Sequence, residues 1–315
     1  MYKKFLKGNA GGLIRVRFRA TKPVERNDMR RLWLAGALLL ALLVPTSSAL
    51  AAPHHPTGEY AQFNDCPLSN PAVTVCLYSE TTSGFFTMGK KTVPIKNTVK
   101  LQGGLDEILV PSKFFPAEDN NSLPPVAQPV PGGLLGIEAP SWWPQFLKDL
   151  FNETINNGFT GVTATVELTS QTGVEIHPLN LLTQTGTALS LPVKIKLGNP
   201  FLGSSCYIGS NSSPITLAFT TGTTSPPPPN KPITGAPGTL STNESGSIAT
   251  FSGGKLVNNS FAAPGANGCG GILLSWAVDP FVNSIVGLPS PAGTNTAVLE
   301  GKIQVAEASA VKASE

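Results

Sequence analysis

Apolar and polar positions alternate with a period of two along much of the chain, the signature of strands with one face in a core and the other in water. The alternation is clean over residues 161–168, 188–197, 214–219 and 297–305. Shorter runs at 73–78, 91–95 and 98–101 form a series punctuated by Ser83-Gly84 and Gly103-Gly104. Pro94 and Pro192 fall inside such runs, and because proline cannot donate to a ladder, edges or bulges are expected there. The pattern predicts a mainly β fold, an antiparallel sandwich or a barrel-like sheet, with two accessory helices.

The first helix is carried by Trp142, Trp143, Phe146, Leu147, Leu150, Phe151 and Ile155, whose spacing of one, three and four gathers them on one face. Lys148, Asp149, Asn152 and Glu153 lie opposite, with Ser141 as the expected N-cap and Gly158 as the stop. The second runs from about Ile272 to Val286 and is divided at Pro280, so that Asp279 is expected to cap a new helix with Pro280 at its first position. Two proline-rich stretches, 111–140 and 220–246, read as extended excursions.

One apolar run departs from both periods. Arg30 and Arg31 precede the unbroken apolar stretch 32–44, and Ala49-Leu50-Ala51 supplies small residues at a cleavage position. Residues 29–51 therefore read as a secretory signal peptide, and 1–28 as an upstream extension outside the mature protein. The run of about 13 residues is short of the ~20 that a membrane-spanning helix needs. Residues 52–315 are then a single β-rich secreted domain with no transmembrane segment.

Processing reverses the charge. The whole chain has 22 basic and 19 acidic residues; residues 1–31 hold ten and two of these, which leaves 12 and 17, a net of about −5. A basic surface for nucleic acid or anionic membrane is thereby excluded. Cys66, Cys76, Cys206 and Cys269 all lie in the exported part, as an oxidising compartment permits. Of the three possible pairings, Cys66–Cys76 and Cys206–Cys269 is expected, because Pro-Leu-Ser-Asn-Pro between the first two can return the chain on itself. Such loops contribute on the order of 3 and 4 kcal/mol by chain entropy. The second bridge would also make 220–246 an excursion within one domain. With no C-x-x-C pair or Cys/His cluster, neither a metal nor any other cofactor is expected.

Catalytic chemistry finds little to work with. His54 and His55 sit near the expected mature terminus, which leaves His177, flanked by Ile176 and Pro178, as the one imidazole in the folded region. Asp106, Glu107, Glu118, Asp119, Glu167, Glu175 and Asp279 could supply a glycosidase pair only if the fold brought two together. Asp119-Asn120-Asn121-Ser122 offers clustered oxygens but lacks the spacing of a calcium loop and reads as a turn. Trp142 and Trp143 are the most suggestive pair: they could dock on a membrane, a glycan or a partner, or pack their helix onto the sheet. Core packing, which the spacing already explains, is the expectation. The last ten residues read as a polar tail without a sorting signal.

Leu197-Gly-Asn-Pro-Phe-Leu-Gly-Ser-Ser-Cys-Tyr-Ile-Gly-Ser-Asn and the later Thr221-Gly-Thr-Thr-Ser-Pro-Pro-Pro-Pro-Asn-Lys-Pro resemble segments of uncharacterised secreted proteins of high-GC Gram-positive bacteria. The resemblance implies export and a disulfide at Cys206, and no activity. The expected function is that of a secreted, non-enzymatic structural or binding protein acting on an unidentified partner in the cell envelope or extracellular space. A carbohydrate-active hydrolase using two acidic residues and a membrane-associating protein are the alternatives.

Overall fold

A computed structural model of the chain describes residues 55–108, 112–156 and 159–315; the expected leader, the upstream extension and Gly158 lie outside them. A compact unit runs from Ala52 to Glu315. It opens with a 3-10 turn at Gly58–Phe63, followed by the long strand β1 (Val75–Met88), β2 (Lys91–Pro94), β3 (Val99–Leu105) and β4 (Phe114–Pro116). The chain then crosses to a second layer with β5 (Ala127–Pro129), helix α1 (Gln145–Asn156), β6 (Thr163–Leu168), β7 (Glu175–Ile176), the short helix α2 (Pro178–Thr183), β8 (Leu189–Gly198), β9 (Tyr207–Ile208) and β10 (Ile215–Phe219). It returns to the first layer with β11 (Thr239–Thr242) and β12 (Ile248–Asn258), adds β13 (Ala266–Asn267) and helix α3 (Gly271–Val286) to the second, and ends with β14 (Thr296–Glu307) and the short helix α4 (Ala308–Ala313).

The result is two seven-stranded antiparallel sheets packed face to face, a sandwich rather than a closed barrel. Sheet A has the order β11-β12-β14-β1-β3-β4, with β2 also on β1; sheet B has the order β13-β9-β8-β6-β5, with β10 and β7 also on β8. Side chains of both inner faces form the main core, in which Val193 and Phe219 are fully enclosed. A second, smaller cluster covers the outer face of sheet A, where Cys76 and Tyr78 of β1 meet Phe63, Ala308 and Val311. The C-terminal stretch is thus not a polar tail. Every third or fourth residue of α4 is apolar, and two of them are buried against β1. The disulfides are Cys66–Cys76, under this outer layer, and Cys206–Cys269, joining β9 to the entry of α3.

Four local expectations are corrected. Helix α1 begins at Gln145, not at Ser141, because Trp143 precedes Pro144 and a residue before proline is driven from the helical region. Helix α3 is one continuous helix through Pro280 rather than two, and the Asp279 carboxylate does not cap a new turn but accepts the N–H groups of Gly268 and Cys269. Pro192 lies at neither edge nor bulge. It sits within the central strand β8 opposite the break between β6 and β7, where Thr169 N–H donates to its carbonyl and no donor is needed in return. Strands β1 and β3 run through Ser83-Gly84 and Gly103-Gly104 instead of stopping there, and in β1 the reason shapes the site below.

Candidate functional site

Strand β8 places Leu189, Leu191, Val193, Ile195 and Leu197 on its inner face, all buried, with half-exposed residues between them. At ~3.3 Å per residue this apolar row is about 26 Å long. Sheet A does not pack tightly onto it. Two cavities of about 70 Å³ each lie between the sheets, sharing Ser79, Leu101, Leu189 and Leu256 in their walls. One is lined further by Phe86, Met88, Leu191 and Ile195, the other by Leu105, Ile176, Phe251 and Ile303. A third, of about 50 Å³, continues the line at the far end of β8, between Leu197, Val162 and Phe281 and Ile285 of α3. Protein interiors carry few voids larger than one water, so three in a row mark a crevice rather than loose packing.

The crevice owes its space to sheet A. Thr82 in β1 and Gly253 in β12 are each an extra residue opposite one position of β14, and both bulges face Gly301. Before its bulge β1 turns odd-numbered residues inward (Val75, Leu77); beyond it, even-numbered ones (Phe86, Met88). The residues flanking the bulges, Thr81, Leu256 and Leu299 on one side and Phe251 and Ile303 on the other, line the cavities. Bulges bend and over-twist a sheet, and here the bend lies over the void.

The walls offer almost no polar chemistry. Both polar atoms of the Gln128 amide are engaged, its oxygen accepting the Lys96 and Asn97 N–H groups and its nitrogen donating to the Asn97 carbonyl. The Ser79 hydroxyl donates to the Lys302 carbonyl at 3.4 Å. Lys100 borders the first cavity, but its ammonium stands over the Tyr78 ring on the outer face, 5.7 Å from the centroid. An apolar void of this kind stays dry or takes an apolar guest.

Charge gathers instead on the outer side of the bend. Lys302 lies 3.1 Å from Glu80, Tyr78 donates its hydroxyl to the same carboxylate, and Ser83 donates to Glu300. Burial alone would raise the Glu80 pKa, but the bonds from Tyr78 and Lys302 and the charges of Lys302 and Lys100 outweigh it and hold the carboxyl below the ordinary glutamate value. A depressed carboxyl stabilises the fold above its ordinary pKa and loses that contribution as pH falls through its folded value. Glu80→Gln should therefore melt below the wild type at neutral pH, and the gap should close as pH drops below the ordinary glutamate range; calorimetry across that range checks this.

The other sequence candidates do not converge. Glu167 pairs with Lys194 at 3.7 Å on the outer face of sheet B, Asp106 accepts the Lys113 N–H, and Glu175 is exposed. Asp119 accepts the Asn121 N–H across Asn120 at φ 57°, so this stretch is a turn. His177 heads α2, its carbonyl accepting the Leu181 N–H. Among the described residues no three His, Cys, Asp or Glu side chains are placed to hold a metal. Trp142, expected in the core, is 79 % exposed, and Trp143 is half-buried against Phe151 and Trp142. No helix among the described residues is long and apolar enough to cross a membrane. The cavities escaped sequence reasoning because alternation reports which face is buried, not how closely two faces meet. No known protein family, curated protein or solved structure matches the chain.

Proposed function

We propose that the chain is a secreted, non-enzymatic binding protein of the cell envelope or extracellular space that holds an elongated apolar ligand, an acyl chain or comparable hydrocarbon, lengthwise between its two sheets. The carrying observation is the row of cavities along β8, the two larger ones sharing Ser79, Leu101, Leu189 and Leu256, with walls that are apolar apart from Lys100 and Lys91, whose ammonium groups are engaged by the Tyr78 ring and by Glu138. Two disulfides suit an oxidising compartment. The lack of any charged group turned into the crevice favours a ligand whose polar end stays outside.

The test is a plug at the junction. Ser79→Phe adds a ring where the two larger cavities meet, on a strand position that tolerates aromatic residues. A fluorescent polyene fatty acid titrated into the full-length protein should bind with enhanced emission. The variant should fold with unchanged circular dichroism and bind at least about tenfold more weakly, since the ring occupies the guest's space. Absence of binding to the wild type, or equal binding to both proteins, would defeat the proposal.

A further inference from the structure

The first two turns of α3 stand clear of the body they are attached to. From Val278 onward the helix packs on sheet B through Val282 and Val286, but Ile272 is 99 % exposed, Leu273 83 % and Trp276 78 %. A helix apolar on all sides is ordinarily buried. This one is instead rigidly mounted. Cys269, just before it, is bonded to Cys206; Gly270 N–H donates to the Leu202 carbonyl at 2.8 Å; and the Asn283 side chain both accepts from and donates to the backbone of Ala266. Asp279, the sole charge on the helix, is turned back to this base. Beside Leu202, Phe201 pairs with Phe159 at 6.3 Å, and both rings are exposed.

We infer that this projecting tip is a docking surface for the interface of a lipid layer, where the bound protein would exchange its apolar ligand; the exchange step rests on the crevice reading, the docking does not. Charge selects the occupant. Residues 271–278 carry no ionisable group, so the tip has nothing to complement a charged protein partner and nothing to lose in entering a region without charges. Trp276 has the amphipathic ring that settles at the boundary of headgroup and hydrocarbon. No side chain caps the helix start, so its open N–H groups require polar surroundings and limit the tip to shallow insertion. The inner face of the same helix closes the third cavity through Phe281 and Ile285, which places the lipid beside one end of the crevice.

The experiment is flotation of the full-length protein with phosphatidylcholine vesicles, alongside Ile272→Ser/Leu273→Ser and Trp276→Phe. The wild type should float at low and high salt alike, and brominated lipid should quench its emission. The double variant should lose vesicle affinity on the order of a hundredfold, as two large side chains forgo burial, while keeping its fold and its affinity for the polyene fatty acid. Trp276→Phe should float with most of the quenching gone. A wild type that binds the fatty acid but does not float overturns the docking and leaves the crevice reading intact; one that floats without binding fatty acid does the reverse. Equal flotation of the double variant, a dimer that this variant splits, or cross-linking of position 272 to residues 32–44 of the same chain would each assign the surface elsewhere and overturn the inference.

Discussion

Gly301→Val is expected to leave little or no folded protein. A Cβ at this position would stand 1.8 Å from the Glu80 carbonyl oxygen and 3.0 Å from the Thr81 Cα. Both are backbone atoms of β1, and β14 is held between β1 and β12, so neither side can yield without breaking a ladder at its bulge. Ordinary substitutions cost about 1 kcal/mol, and this one belongs to the rare class of ~4 kcal/mol or more, a large part of the roughly 5–15 kcal/mol that holds a domain together. Gly254→Ala is the control. It lies directly across from Gly301, yet its nearest neighbour would be 3.4 Å away, and its unfolding free energy from urea titration should change by no more than about 1 kcal/mol. If the two variants unfold alike, the crowding at Gly301 does not govern the sheet.

The second large effect concerns the Cys206–Cys269 bridge. It closes a separation of 63 residues that includes the proline-rich excursion and one long strand, and its removal should cost about 4 kcal/mol by chain entropy. The consequence is local as well as global. The mount of α3 depends on the bridge, so in Cys206→Ser/Cys269→Ser the amides of residues 266–286 should exchange with solvent faster than those of β8. Cys66→Ser/Cys76→Ser, across a separation of 10, should cost about 3 kcal/mol and loosen only the outer layer of Phe63 and Val311. Hydrogen exchange read by mass spectrometry distinguishes the two patterns. Uniform loss of protection in either variant would show that the bridges stabilise the fold without organising a region.

What could be read from the residues alone depended on how regular each element is. Strand β8 alternates without interruption, and its boundaries and inner face followed directly from Leu189 to Leu197. Strand β1 was divided because the alternation changes phase at Thr82, and a glycine follows. Strand β12 was missed for the same cause: Gly253 interrupts it, and Ser252, Gly254 and Lys255 dilute its apolar face. The Cys66–Cys76 loop was legible from its two prolines. Trp142 was misplaced because helical spacing shows that apolar residues share a face but not whether anything covers it. The exposed end of α3 did leave a signal, a run from Gly271 to Val278 without a polar stripe, next to a proline that mimics a helix boundary. Voids have no local signature, since each residue lining them looks like an ordinary core residue.

The two bulges give the crevice an unusual genetic handle. Thr82 and Gly253 are surplus to the pairing: on either side of each, the partners across β14 continue with the same sidedness. Deleting any other single residue from the inner stretches of these strands turns everything beyond it inside out. Deleting these two together does not. A chain shorter by that pair keeps Leu77, Phe86, Phe251 and Leu256 pointing inward, relaxes the bend over Gly301, and lets sheet A settle onto β8. The hollow thus follows from two residues inserted into an otherwise regular sandwich, and the joint deletion of their codons is the change expected to fill it.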